Sequence, residues 1–136
     1  MTKDIQSKEK YRIITAALLT MRLKARYRGF FYLREILILM INGEDFGTSA
    51  QIHDIKDIIP KALYIDVSKK LSVTIENIEK SIRVAINRMW ETAEPGKEVD
   101  FFDTKYTFPQ TKPTNTQVIY SAYLLVSAVL KKEDIA

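Results

Sequence analysis

The sequence predicts an all-α, bundle-like domain of six helices, within a range of five to seven, that contains a helix-turn-helix. Three observations carry this prediction. Apolar residues recur at helical spacing through most of the 136 residues. Glycine, proline and short polar clusters interrupt those runs and mark the ends of helices. Residues 63–86 hold two amphipathic segments separated by only a tight turn.

Residues 1–11 read as a polar, flexible leader, frayed or lightly helical, and 12–136 as one domain. From Tyr11 to Lys24 the apolar positions Ile13, Ile14, Ala17, Leu18 and Met21 predict a first helix. The basic stretch Arg22, Lys24, Arg26 and Arg28 follows, and Gly29 reads as a stop or turn. A second helix is expected over residues 30–41. Leu33, Ile36, Leu37, Leu39 and Met40 make it apolar on most sides, so it should be the central buried helix, ended by Asn42-Gly43. Residues 44–54 form a polar connection, with a short helix expected from Ala50 through Ile59 and a break or a first helical turn at Pro60.

Lys61 to Leu71 predicts the next helix, with Leu63, Tyr64, Val67 and Leu71 on one face. Ser72-Val73-Thr74 is the turn, and Thr74 is suited to cap the following helix, from Ile75 to about Thr92. Glu94-Pro95-Gly96 stops that helix. Val99 to Phe108 is apolar and aromatic and is expected to hold one short helix, although Tyr106 to Phe108 also suits extended chain. A last helix, capped by Thr114 or Thr116, should cover Val118 to Leu130, with Lys131 and Lys132 complementing its C-terminal dipole. Leu33, Ile36, Leu37, Val67, Ile78, Ile82 and Ile86 are the expected core.

Composition removes several classes of function. The chain has no cysteine, which excludes disulfides and thiolate-bound metals and fits a reducing compartment. Its single histidine, His53, cannot build a His-rich metal site and reads as a surface residue. Glu44, Asp45, Asp54 and Asp57 lack the calcium-loop spacing and read as a solvated acidic face. There is no Gly-rich phosphate loop and no nucleophile elbow, so no catalytic residue, cofactor or metal is expected. No apolar run approaches the roughly 20 residues that span a bilayer, and no signal peptide is recognisable. A cytoplasmic protein with no membrane partner is therefore expected.

Net charge is +4, and its distribution is uneven. Residues 1–40 carry +6, residues 41–66 carry −3, residues 67–97 carry +2 and residues 98–136 carry −1. Two basic blocks around an acidic segment suit a polyanion such as DNA.

Within residues 63–86, small Ser68 sits where the two helices pack closely, and Ser72 occupies the turn. Ile78, with Val67, Leu71 and Ile82, closes the small core between them. Such a motif lays its second helix in the major groove. Turned at about 100° per residue, that helix puts Ile75, Ile78, Ile82, Ile86 and Met89 on one stripe. Asn77, Lys80, Val84 and Asn87 lie opposite, flanked by Glu76 and Arg83. Asn suits adenine, Lys suits guanine, Glu accepts from cytosine, and Val can touch a thymine methyl. Lys69 and Lys70 precede the turn and are expected at phosphates. Arg34 and Glu35 are sequence neighbours on different helix faces and are expected to hold adjacent helices. Tyr11, Tyr120 and Tyr123 are expected in the core or an interface.

Three stretches resemble the C-terminal effector domain of the master regulator that initiates endospore formation in bacilli and clostridia. They are Gly29-Phe30-Phe31-Tyr32-Leu33-Arg34-Glu35, then Ala62 to Leu71 followed by Ile78 to Ile86, then Lys112-Pro113-Thr114-Asn115. They stand in the family's order and spacing across roughly residues 12–130. The resemblance implies six helices around a helix-turn-helix, binding to double-stranded promoter DNA as a homodimer or in tandem, and contact with the RNA polymerase sigma subunit. It adds Glu79 to the base-reading set of Glu76, Asn77, Lys80, Arg83, Val84 and Asn87. It places Arg26, Arg28, Lys69, Lys70, Thr74 and Lys112 at phosphates. Departures are concentrated in the reading helix. Glu76 and Asn77 stand where the family has Ser and Arg, Lys80 replaces an Arg, and Val84 replaces a His. Glu79 and Arg83 follow the family pattern. A receiver domain of the chain's own is expected to be absent. The expected function is a sequence-specific transcription regulator. The alternative is an interaction module of the same fold that modulates a full-length regulator without reading DNA.

Overall fold

A computed structural model describes residues 3–44 and 62–135 of the protein. The expected helix from Ala50, Pro60, His53 and the acidic residues Asp45, Asp54 and Asp57 lie outside the described residues. Five helices and one hairpin make up the rest: α1 (Lys3–Thr20), α2 (Arg28–Glu44), α3 (Tyr64–Leu71), α4 (Ile75–Trp90), β1 (Glu98–Phe101), β2 (Thr104–Thr107) and α5 (Asn115–Ile135).

α1 extends into the stretch read as a leader and stops four residues before Lys24. Arg22 ends it by adopting φ 70°, a left-handed conformation usually given to glycine. The Leu23 amide then reaches back to the Leu18 carbonyl (3.1 Å) and the Arg22 amide to that of Leu19 (2.9 Å). This is a Schellman closure, sealed by the burial of Leu23. Arg22 is held in place by its guanidinium lying over the Phe108 ring and pairing with Glu94.

α2 corrects the expected breaks at both ends. Gly29 lies in its first turn and Asn42-Gly43 in its last. Gly29 is a contact point instead of a stop. A Cβ there would stand 2.3 Å from the Ser81 carbonyl oxygen and 2.8 Å from the Ile82 Cα. Only glycine lets α2 cross α4 this closely. α2 is the central helix, as its apolar residues predict, with Leu33, Ile36 and Leu37 fully buried. It packs against α1, α3, α4 and α5.

The α3–turn–α4 unit follows the predicted layout. Ser72 takes φ 56°, ψ 44°, the conformation for which many such turns use glycine. Its amide and that of Val73 both return to the Ser68 carbonyl. The Ser68 hydroxyl donates to the Val73 carbonyl at 2.5 Å, so the small residue ties the turn as well as making room for it. Thr74 caps α4 by accepting the Asn77 amide at 3.1 Å. Val67, Ile78, Ile82 and Ile86 are buried between the helices and α2.

Residues 98–107 overturn the expected short helix. β1 and β2 form an antiparallel hairpin with Glu98 opposite Thr107 and Phe101 opposite Thr104. The cause is a period-two pattern confined to four-residue strands. Phe101 and Phe108 point inward and are buried, Val99 and Tyr106 are half-buried, and Glu98, Asp100, Lys105 and Thr107 face out. Phe102 makes the tight turn at φ 54°. α5 starts three residues earlier than expected because Thr114 and Gln117 cap it reciprocally. The Gln117 amide donates to the Thr114 hydroxyl (3.1 Å), and the Thr114 amide donates to the Gln117 side chain (2.9 Å).

Candidate nucleic-acid interface

α4 presents its outer face because its inner face is fully committed. Ile78, Ile82, Ala85, Ile86 and Met89 are buried. The residues in register with solvent are Glu76, Asn77, Lys80, Arg83, Val84 and Asn87, all exposed. Val84 is 40% exposed although it is apolar. Glu79 turns partly inward, toward α5.

The loop before α5 closes one flank of this face. The Lys112 ammonium donates to the Asn87 side-chain oxygen at 2.8 Å. The Asn115 amide group donates to the Glu79 backbone carbonyl at 3.0 Å. Together they clip the loop and the start of α5 to α4. A groove of about 480 Å³ runs between them, lined by Tyr64, Glu79, Arg83, Asn87, Lys112 and Asn115 among others. Burial raises the Tyr64 phenol above its ordinary value, and the nearby Glu79 carboxylate adds to that, while a hydrogen bond from Asn115 opposes it. The phenol therefore stays neutral, and Arg83 and Lys112 supply the positive charge of the groove.

The other expected phosphate contacts sit in three places. Arg26 is exposed in the turn before α2, with its guanidinium 5.2 Å from the Tyr27 ring centre and a hydrogen bond to the Tyr27 hydroxyl. Arg28 is exposed one residue before the Gly29 crossing, so the basic turn lies beside the middle of α4. Lys69 is exposed on the last turn of α3. Thr74 is exposed at the start of α4, with its hydroxyl engaged in the cap. Lys70 differs from these. Its ammonium lies 3.0 Å from the Glu35 carboxylate, across on α2. The structure thus brings Arg83, Asn87 and Lys112 together, sets Arg26 and Arg28 on another flank, and draws Lys70 into the scaffold. Nothing in the sequence gives Asn115 a role of its own, although it closes the Lys112-Pro113-Thr114-Asn115 stretch.

A family model described as the sporulation initiation factor Spo0A C terminal matches residues 14–125. The chain belongs to that family. The match runs from the middle of α1 into α5 and takes in both helices of the helix-turn-helix. Spo0A C-terminal domains are the DNA-binding effector part of a sporulation transcription regulator, a regulatory family and not an enzymatic one. Among the described residues, no group of His, Asp or Glu side chains comes together that could hold a metal ion. Nor is any described helix long and apolar enough to cross a membrane.

Proposed function

We propose that the chain is a sequence-specific transcription regulator that lays α4 in the major groove of double-stranded promoter DNA. The observation that carries this reading is the outer face of α4. It is a capped, firmly seated helix whose exposed face carries Asn77, Lys80, Arg83, Asn87 and an unprotected Val84, with Glu76 at its start. Each of these has a complement on a base edge. In this reading Glu76, Asn77, Lys80, Arg83, Val84 and Asn87 face bases, half-buried Glu79 borders them in the groove beside Lys112, and Arg26, Arg28, Lys69, Thr74 and Lys112 face phosphates. Binding as a homodimer or in tandem, contact with the RNA polymerase sigma subunit, and work on the nucleoid in the cytoplasm complete the proposal.

Sequence preference should differ from that of the family pattern. A bidentate Arg–guanine contact contributes about 1–3 kcal/mol of discrimination, and Asn77 lacks the fork that makes it. The operator should be poorer in guanine opposite Asn77 and should favour a thymine methyl near Val84. A selection from random DNA tests this. Asn77→Arg should regain roughly a tenfold preference for the family's element, equivalent to about 1.4 kcal/mol. Enrichment of that element, unchanged, by the wild-type chain would mean that Asn77 reads no base.

One observation favours a second reading, an interaction module that modulates a full-length regulator without reading DNA. Glu76 is exposed on the first turn of α4, where a carboxylate repels phosphates. A chain that binds the full-length regulator and enriches no DNA sequence would establish it.

A further inference from the structure

Two adjacent lysines end α3, and their surroundings separate them. Lys69 is exposed. Lys70 crosses to α2 and meets Glu35 at 3.0 Å; the Glu35 side chain is 7% exposed and that of Lys70 is 51% exposed. The second Glu35 oxygen accepts the Tyr11 hydroxyl of α1 at 3.2 Å. The carboxylate is therefore satisfied by one group from α1 and one from α3. Arg34 lies over the Tyr11 and Phe31 rings and shields this corner. The hydrogen bond to Glu35 raises the Lys70 ammonium above the ordinary lysine value.

α3 has only eight residues. A helix this short is not stable by itself and depends on what it packs against. Its buried anchors, Tyr64 and Val67, lie toward its N-terminal side. Its last turn is tied to the scaffold by the Lys70 ion pair and by the half-buried Leu71, which packs on the core. Beyond it the turn is stiff, fixed by the left-handed Ser72 and by the bond from Ser68 to Val73. A displacement at Lys70 is thus passed directly to the start of α4. A Lys70 that left Glu35 for a phosphate would abandon a buried carboxylate to a single phenol, and a buried charge stripped of its partner is strongly unfavourable.

We propose that Tyr11, Glu35 and Lys70 form a latch that sets how α4 is presented to DNA. Lys70 is then a positioning residue and makes no phosphate contact. This rests on the DNA-binding reading, and the test keeps the two apart. Binding of a fluorescent mixed-sequence duplex is followed against salt, and amide exchange of α3 and α4 is followed without DNA. Each phosphate contact contributes about 0.9 to the slope of log affinity against log salt. Lys69→Gln should lose about that slope and leave exchange unchanged. Lys70→Gln should keep the wild-type slope, lose affinity severalfold and speed exchange over residues 67–71. Lys70→Arg should restore both. The Glu35→Gln, Lys70→Gln double variant removes the stranded charge, so it should regain most of the affinity although it lacks the cation. It also carries the test if Lys70→Gln folds too poorly to assay. A slope reduced in both Lys70→Gln and the double variant, with exchange unchanged, would overturn the latch. If the wild-type chain shows no salt-dependent binding, the DNA reading fails, and the exchange comparison still decides the latch.

Discussion

At the scale of single residues, Gly29 sets the tightest contact among the described glycines. Its Cα faces the Ser81 carbonyl and the Ile82 backbone, neither of which can swing aside as a side chain could. Gly29→Ala must push α2 and α4 apart. Overpacking of this kind costs about 1–3 kcal/mol. The denaturation midpoint should fall accordingly, with little change in the denaturant slope. DNA affinity should fall with it, because the helix that shifts is the proposed reader. The sequence offered Gly29 as a helix stop, since glycine's two uses, turning the chain and admitting another backbone, look identical in one dimension. The exposure of Asn77, Lys80, Arg83, Val84 and Asn87 was legible, because it follows from the period of the buried isoleucines. The pairing of Lys112 with Asn87 and of Lys70 with Glu35 was not, because both join residues far apart in sequence.

At the scale of elements, the caps were the most readable features. Thr74 is the expected N-cap of α4 and Thr114 one of two expected caps of α5, and both hydroxyls accept amides in the first turn. Local chemistry determines such ends, so local sequence reveals them. Thr74→Ala should cost about 1 kcal/mol and should speed amide exchange in the first turn of α4, at Asn77 above all. Exchange spread evenly over the whole domain would argue against a local capping role. The hairpin at residues 98–107 is hidden in the sequence for the opposite reason. Four-residue strands give too few alternations to outweigh a cluster of aromatics that also suits a buried helix. The early end of α1 has a similar origin. Arg22 holds a left-handed conformation through distant partners, Phe108 and Glu94, which no local pattern announces.

At the scale of the whole molecule, α1, α2 and α5 form a scaffold, and the helix-turn-helix is fastened to it at several points. Gly29 fixes the crossing of α2 with α4, Asn115 and Lys112 clip the start of α5 and its loop to the other flank, and Lys70 ties down α3. Among the described residues, this arrangement leaves the outer face of α4 firmly seated and open to a partner. The basic turn around Arg26 and Arg28 and the loop at Lys112 stand on its flanks. A duplex seated on α4 would therefore meet reading residues at its centre and cations at its edges. Mapping a DNA titration by NMR tests this placement most directly, using an isotope-labelled chain and a duplex recovered from the selection. The amides of residues 76–87, 24–28, 111–112 and 114–115 should shift together and saturate at one stoichiometry, while the α5 amides beyond Val118 stay still. Shifts confined to α1 and the later turns of α5, with α4 unmoved, would contradict the assignment of α4 as the reading helix.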